Sequence, residues 1–281
     1  TSYYDDLFLL RTGLVDATRY LKLVARAAHA VRQAPGQAVQ SVAEASFDAW
    51  IRYYRPDENT PNATISYYAK GSLVALRLDL ALRTQGKATL DDVMRALWTR
   101  SPKAVADDPR DASNRAVTED AILATVARLG GKSLAADLAL WVHERHPLDV
   151  LAPLAKFGVE VDSEPSSLAT ELGLVVSESA LAGVHVKSVL AGGAGAAAGL
   201  SAGDEILAID GWRVRRLDDA QGWTRMGDAL EVLVARRQRV ATLRVPPRDA
   251  LARAAARAPV FRLAPAPTAA VRARRIAWLG A

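Results

Sequence analysis

The sequence predicts a multidomain α + β protein, in which an all-α helical domain precedes a small β-rich domain and a basic tail rich in Ala and Arg. The length of 281 residues accommodates two modest domains of roughly 150 residues each. Half of the residues are hydrophobic and 24% are charged, as in globular proteins. The spacing of apolar residues changes from helical to strand-like near residue 157. We therefore predict a helical domain at 1–157, a linker at 158–167, a β-rich domain at 168–247 and a C-terminal extension at 248–281.

Helical periodicity runs through the first domain. Segment 18–34 carries an apolar stripe that includes Leu21, Val24 and Val31. The segments 41–44 (Ser-Val-Ala-Glu) and 89–92 (Thr-Leu-Asp-Asp) resemble capping boxes, which predicts helices that run to about Tyr54 and Arg100. The remaining helices are expected at 66–83, 118–129, 133–143 and 148–156. Segment 66–83 is apolar on nearly every side and ends at a glycine, Gly86, so this helix should be buried.

Strand-like runs separated by glycines follow a polar segment, 158–167, which is typical of a linker. The predicted strands are 172–176, 185–190, 205–209, 230–235 and 240–245. A short helix is expected near 217–225. After residue 247 the composition favours an Ala/Arg helix and then a Pro-rich stretch.

Charge and composition exclude several classes of protein. The net charge is +5, but residues 248–281 hold seven arginines against one acid, Asp249, so the rest of the chain is nearly neutral. This distribution fits a solvated helix face better than a nucleic-acid interface. No apolar run reaches the ~18 residues of a membrane span. The absence of cysteine excludes disulfides and thiolate metal sites. The chain opens on Thr1 without an initiator Met or a signal-like segment, so we expect a processed or partial chain, whose compartment we do not assign.

Two motifs resemble a zinc site and a dinucleotide-binding loop, but the spacing of their residues does not fit either function. His143 and His146 are separated by three positions, whereas a zincin places its histidines four apart in H-E-x-x-H. His29 and His185 have no ligating neighbours in the sequence, so we predict no metal site in this chain. The glycines at 193–199 resemble a dinucleotide-binding loop, but Gly203 ends the following helix too early to hold a pyrophosphate.

The same glycines fit a different pattern. Leu172-Gly-Leu174, the small-residue run 192–200 and the segment 203–211 (Gly-Asp-Glu-Ile-Leu-Ala-Ile-Asp-Gly) together resemble a bacterial PDZ domain over about 168–246. One departure is a small residue at 194 or 195, where Pro is commonest. The resemblance implies a loop that holds a peptide carboxylate and a strand edge that accepts the peptide. The predicted peptide-binding residues are Leu172, Gly173, Leu174, Val175 and Val176. The alternative is a groove filled by the chain itself, with the domain bracing its neighbour.

The helical half resembles the glycyl aminopeptidase family. The matching segments are 1–7, 46–51, 65–71, 91–98 and 154–158. These gluzincin-type zinc metallopeptidases carry a C-terminal PDZ domain and bind zinc through H-E-x-x-H and a Glu upstream of a T-S-Y-Y segment. Thr1 matches the Thr of that segment, so the resemblance implies zinc in the full-length parent and none bound by this chain. It also implies two partners, which are the missing N-terminal portion of the same protein and peptide substrates with a small N-terminal residue.

Tyr68-Ala-Lys70-Gly71 matches the Y-x-K-G segment of the related aminopeptidase N enzymes. The match implies that the Tyr68 hydroxyl stabilises the oxyanion of the tetrahedral intermediate, with Tyr67 as the competing candidate and two packing tyrosines as the alternative. Gly71 is expected to allow close packing. We therefore expect the C-terminal portion of a zinc aminopeptidase-like protein that cleaves N-terminal Gly or Ala and is inactive as a fragment. The alternative is a non-enzymatic peptide-binding PDZ adaptor.

Overall fold

Two separate hydrophobic cores give the chain its multidomain α + β architecture, as predicted. The computed structural model describes residues 1–100, 117–224, 227–247 and 256–280. One core lies among the helices, and the other lies inside an antiparallel sheet. No described helix combines the length and the apolar character that crossing a membrane requires.

The helical domain is built around one central helix. Its helices are α1 (Ser2–Arg11), α2 (Ala17–Gln33), α3 (Val42–Phe47), α4 (Thr60–Ala63), α5 (Tyr67–Gln85), α6 (Leu90–Arg100), α7 (Glu119–Gly130), α8 (Lys132–His143) and α9 (Leu151–Ala155), with a 3-10 turn at Pro35–Ala38. The central α5 begins where the Ser66 hydroxyl accepts a hydrogen bond from the Ala69 amide. It ends at Gly86, whose φ of 70° is the left-handed conformation that glycine adopts most readily. The predicted burial of this helix is confirmed by leucines such as Leu76 and Leu80.

The prediction of one helix from Ser41 to Tyr54 was wrong beyond residue 47. The Ser41–Glu44 capping box is present, but α3 ends at Phe47 and turns follow. The chain turns after Phe47, and Tyr53 and Tyr54 both approach the start of α5. Tertiary contact with α5 thus accompanies the loss of the helix.

The β-rich domain is an antiparallel sheet with short helices. Its elements are α10 (Leu168–Leu172), β2 (Leu174–Ser179), β3 (Gly183–Val189), α11 (Ala194–Ala197), β4 (Glu205–Ile209), β5 (Trp212–Arg213), a 3-10 helix (Leu217–Gly222), β6 (Leu230–Arg236) and β7 (Arg239–Val245), after a first strand β1 (Val159–Glu164) that lies outside this sheet. The strand order is β2-β3-β4-β6-β7, with β5 paired to β4. All five predicted strands are present, but the first begins at Leu174 because Leu168–Leu172 is helical. The predicted helix near 217–225 is a 3-10 helix that ends at Gly222, and position 225 lies outside the described residues.

The predicted linker contains a strand, and so does the predicted Ala/Arg tail. Strand β1 pairs antiparallel with β8 (Ala258–Leu263), and Val161 lies opposite Phe261. Helix α12 (Ala269–Leu279) follows, and its Trp278 is buried in the helical core. The predictions of an unstructured linker and of a solvated helical tail were therefore wrong for the described residues. Segments on both sides of the β-rich domain pack on the helical domain, because Val159 before it and Phe261 and Trp278 after it bury their apolar side chains there. The first part of the tail, 248–255, lies outside the described residues.

Arginines of the tail donate to backbone carbonyls instead of facing only solvent. Arg275 is buried and donates to the carbonyls of Gly158 and Ala264, at 3.0 and 3.2 Å. Arg257 donates to both the hydroxyl and the carbonyl of Ser163, each at 2.7 Å. These bonds satisfy carbonyl groups at the start and end of β1, so the basic composition serves local structure.

Candidate active site and peptide groove

Four tyrosines meet at the start of α5. Tyr67 and Tyr68 form its first turn, and the turn after α3 brings Tyr53 and Tyr54 against them. The Tyr54 hydroxyl lies 2.6 Å from that of Tyr68 and 3.1 Å from that of Tyr67. The Tyr67 and Tyr68 rings lie 4.3 Å apart at 30°, which orients both hydroxyls toward Tyr54. We define these four side chains as the tyrosine cluster.

The tyrosine cluster is packed on the helical core at its base and open to solvent at its outer side. Tyr68 is 41% exposed and Tyr54 is 47% exposed, whereas Tyr67 packs against the helical core. Hydrogen bonds from Tyr54 and then Tyr67 lower the pKa of Tyr68 below its ordinary value. The hydrogen bond with Tyr54, followed by that with Tyr68, raises the pKa of Tyr67. The two sequence candidates are therefore different chemically, and Tyr68 carries the more exposed and more acidic hydroxyl.

The other two residues that the Y-x-K-G segment specifies, Lys70 and Gly71, lie away from the hydroxyls of the tyrosine cluster in their contacts. Lys70 is 1% exposed, and its Nζ donates to the His146 carbonyl oxygen at 3.0 Å. Burial lowers the pKa of Lys70. A Cβ at Gly71 would meet no described atom within 4 Å, so the expected close packing at this glycine is wrong for the described residues. Lys70 thus joins α5 to the segment after α8.

Two tyrosines of α1 anchor that helix to its neighbours. Tyr3 is buried and donates to Asp79 Oδ2 at 2.7 Å, and burial raises its pKa. Tyr4 donates to Asp91 Oδ1 at 2.7 Å, and the same carboxylate accepts two bonds from Arg11. Both hydroxyls are used within the domain, so they fix the position of α1 on α5 and α6.

The histidines do not converge on a metal site. His143 Nε2 lies 2.5 Å from Glu119 Oε1, whereas His146 lies 3.5 Å from Glu144 on the exposed side. Within residues 1–100, 117–224, 227–247 and 256–280, no three His, Cys, Asp or Glu side chains are grouped as metal ligands. The donor set of these residues therefore does not fit the zinc that the family resemblance implies.

The predicted peptide groove has an open strand edge and a partly occupied loop. Among the described strands, β2 pairs with β3 alone. Gly173 caps α10 with a φ of 69°, and its N–H donates to the Thr170 carbonyl at 3.1 Å. A peptide carboxylate would compete for this amide. Leu172 and Leu174 are buried in the second core, whereas Val175 is exposed and Val176 is half-buried.

Glu178 limits the length of the groove. Its Oε1 accepts a hydrogen bond from the Leu217 amide at 2.9 Å, which ties β2 to the start of the 3-10 helix. The strand between Leu174 and Glu178 is about 13 Å long at ~3.3 Å per residue. A peptide that pairs with this edge therefore has room for about four residues.

The Gly203-Asp204 pair of the PDZ-like pattern stabilises the fold of the β-rich domain. Asp204 is fully buried and accepts a bidentate pair of bonds from Arg236, at 2.6 and 2.8 Å. The same carboxylate accepts from the Ser201 amide, and Arg236 also donates to the Gly199 carbonyl. The motif thus closes the loop before β4 onto β6 and carries no free ligand donor.

Sequence reasoning missed Tyr54, Asn62 and Glu178. Asn62 of α4 donates to the Val189 carbonyl and accepts from the Ala191 amide, each at 2.8 Å, and so joins the two domains. Tyr54 was placed on a continuous helix, although the paired tyrosines at 53–54 and 67–68 are a signal that aromatic residues cluster. No local pattern distinguishes Asn62 or Glu178 from ordinary polar surface residues.

Comparisons with known proteins agree with both domains. The model of the M61 glycyl aminopeptidase family matches residues 1–74, and that of the PDZ domain matches residues 185–237. A crystal structure of an aminopeptidase N family protein from Idiomarina loihiensis is 30% identical and covers 99% of this chain, with a TM-score of 0.82. The match covers 47% of that protein, so this chain spans about half of its length.

Two further structures, of the HtrA-type protease AlgW with a decapeptide, overlap 45% and 50% of this chain and 37% of their own. They are 22% and 24% identical to this chain, with TM-scores of 0.24 and 0.21. No curated protein matches the sequence significantly. The chain is therefore similar to the M61 glycyl aminopeptidase family over residues 1–74 and to PDZ domains over residues 185–237.

Proposed function

We propose that this chain is part of a zinc aminopeptidase-like enzyme that removes small N-terminal residues, Gly or Ala, from peptides. The observation that carries the proposal is the Tyr68 hydroxyl, which is exposed and acidified at the first turn of a buried helix. The similarity to an aminopeptidase N family protein along nearly the whole chain supports it. That protein is about twice as long, and we propose that the zinc ligands belong to a portion of the enzyme outside this sequence.

Tyr68 would act by donating a hydrogen bond to the substrate oxygen. When a peptide carbonyl is attacked by water, its oxygen gains negative charge, and a donor already in place stabilises that charge without reorganising. A helix whose other side chains are buried is a suitable mount, because it fixes the direction of the phenol. Zinc, when bound, would polarise the same carbonyl. Because the described residues offer no zinc site, we expect the 281-residue chain alone to be inactive.

The full-length enzyme tests the role of Tyr68. Replacing Tyr68→Phe should lower kcat by about 10²–10³, the usual effect of losing one oxyanion donor. KM should change little, because the bond strengthens only in the transition state. The matched control is Tyr67→Phe, which removes the neighbouring hydroxyl. A large loss in this control would shift the assignment by one residue, and full activity in both variants would reject it.

A second candidate function is that of a peptide-binding PDZ adaptor. The open edge of β2 favours it, since an extended peptide can add there as a further strand. Because Gly173 already uses its amide, we expect weak binding, in the micromolar range or weaker, at about −8 kcal/mol or less favourable.

Amide NMR of the whole chain can test the adaptor hypothesis with a four-residue C-terminal peptide and its amidated form. Shifts at Leu174 and Val175 with the free acid, and smaller ones with the amide, would support carboxylate capture. Unchanged amides with both would leave the domain as a structural brace.

A further inference from the structure

Tyr54 lies between the two tyrosines that the family motif singles out. Its hydroxyl is 2.6 Å from the Tyr68 hydroxyl and 3.1 Å from the Tyr67 hydroxyl, although the three residues come from two separate segments. We propose that Tyr54 is a positioning residue that donates a hydrogen bond to the Tyr68 oxygen and leaves the Tyr68 proton free for the oxyanion of a bound peptide. This inference rests on the proposed function and refines how its site is built.

The number of protons limits how the three hydroxyls can bond. Each phenol holds one proton, and Tyr54 takes part in both hydrogen bonds, so it can donate in only one of them. If Tyr67 donates to Tyr54 and Tyr54 donates to Tyr68, the unused proton lies on Tyr68. The raised pKa of Tyr67 and the lowered pKa of Tyr68 both fit this direction. The reverse direction would leave the unused proton on Tyr67, the less exposed ring.

Ring packing holds Tyr54 in this position. The Tyr53 ring stands edge-to-face on that of Tyr54, at 89° and with centroids 5.5 Å apart. The Trp50 ring also packs on Tyr54, tilted by 37°, with centroids 5.1 Å apart. Tyr53 itself directs its hydroxyl elsewhere, to within 3.4 Å of the Ser66 hydroxyl. Edge-to-face aromatic pairs of this kind favour one orientation of the rings. Tyr54 is therefore fixed by contacts that do not involve its own hydroxyl.

The groups facing Tyr68 explain why Tyr54 dominates its environment. Tyr54 and Tyr67 are the hydroxyls that affect its ionisation, with Tyr54 first. Tyr53 reaches Tyr68 by ring contact alone, at 5.9 Å between centroids. Lys70 follows on the same helix, but its ammonium group binds the His146 carbonyl. Removing the Tyr54 hydroxyl should therefore take away the largest influence on the Tyr68 proton.

Titration of the 281-residue chain tests the hydrogen bond directly. NMR of tyrosines isotopically labelled at Cζ follows each ionisation, and Tyr68→Phe identifies the Tyr68 signal. We expect Tyr68 to titrate below about 10, the ordinary value for tyrosine, and Tyr54→Phe to raise its pKa. The matched control is Tyr53→Phe, which keeps the same ring packing and should leave Tyr68 unchanged. An unshifted Tyr68 in Tyr54→Phe, or an equal shift in Tyr53→Phe, would overturn the inference.

The full-length enzyme gives a second, independent readout. Tyr54→Phe should lower kcat about three- to tenfold, the usual range for one net hydrogen bond, with KM unchanged. The high-pH limit of kcat should move upward, because Tyr68 would then keep its proton to higher pH. Damage to the fold would not shift the limit in that direction. A downward or absent shift contradicts the role of Tyr54, whereas full activity of Tyr68→Phe rejects the role of Tyr68. An unmodified full-length enzyme that does not release N-terminal Gly or Ala rejects the proposed function itself.

Discussion

The Asp79 carboxylate is buried in the helical domain and binds donors from three parts of the chain. Tyr3 of α1, Arg83 of α5 and the Leu90 amide of α6 donate to it at 2.7, 2.8 and 2.8 Å. A buried carboxylate is tolerated when its oxygen atoms accept hydrogen bonds from several donors in this way. At the scale of single residues, this group fixes α1, α5 and α6 relative to one another.

Replacing Arg83→Ala should destabilise the domain strongly. The substitution leaves Asp79 buried without its countercharge, which costs about 3–5 kcal/mol, and it also removes a bond from Arg83 to the Ala277 carbonyl. The control is Arg95→Ala, which breaks an exposed pair with Asp92 and should cost less than about 1 kcal/mol. Urea unfolding of both variants measures the difference. Equal losses of unfolding free energy in the two variants would show that the Arg83–Asp79 pair contributes no more to stability than an exposed pair.

The sequence could point to Tyr68 as a candidate but gave no indication of Tyr54 beside it. A short motif names Tyr68, because Y-x-K-G at a helix start is local information. The position of Tyr54 depends on where α3 ends, and the capping box at Ser41 indicates only where that helix begins. A helix that continued to residue 54, as predicted, would contain no turn after Phe47, and that turn brings the hydroxyls of Tyr54 and Tyr68 together. Long-range contacts of this kind override helix propensity and are invisible to a periodicity argument.

At the scale of elements, β1 and β8 join the two segments of chain that enter and leave the PDZ domain, because β1 precedes that domain and β8 follows it. The two strands are about 100 residues apart in the sequence, and neither carries a long apolar run. Five of the six strands of the PDZ domain were predictable because glycines and alternating apolar residues mark them locally, whereas the two-residue strand β5 is too short to leave such a pattern. Strand β1 gives a weaker signal, since Val159 and Val161 are its only apolar residues and the rest of the strand is polar. Its pairing partner, rather than its own composition, accounts for its structure.

Helix α12 contributes a tryptophan to the helical core. Trp278 is 1% exposed and packs edge-to-face on Tyr20 and Phe157, with centroids 5.9 and 5.5 Å away. Trp278→Ala should therefore cost about 3–5 kcal/mol in the free energy of unfolding. Ile276→Ala on the same helix is the control, because Ile276 is 53% exposed and should change stability by roughly 0.5 kcal/mol or less. If both variants unfold alike, the tail does not pack as described.

At the scale of the whole molecule, one loop joins the tyrosine cluster to the PDZ domain. The chain between Tyr54 and Tyr67 carries Asn62, whose amide group bonds to the backbone on both sides of Leu190. Leu190 in turn donates to the Gly173 carbonyl at 2.7 Å, in the loop predicted to hold a peptide carboxylate. A cavity of about 340 Å³ beside this contact is lined by Pro35 of the helical domain and by glycines of the PDZ domain. The two candidate sites are thus connected through hydrogen-bonded backbone.

Asn62→Ala should loosen the PDZ domain from the helical domain without unfolding either one. Each domain has its own hydrophobic core, so the loss of two hydrogen bonds affects mainly the contact between them. Hydrogen exchange of the Ala191 amide should accelerate about tenfold, as expected for one lost net hydrogen bond. Asn62→Asp is the matched control, because it keeps an acceptor for Ala191, while the Val189 carbonyl loses its donor and faces a negative charge. It should therefore protect Ala191 while small-angle scattering reports a looser arrangement than in the unmodified chain. If Ala191 exchanges at the same rate in all three proteins, Asn62 does not hold the domains together in solution.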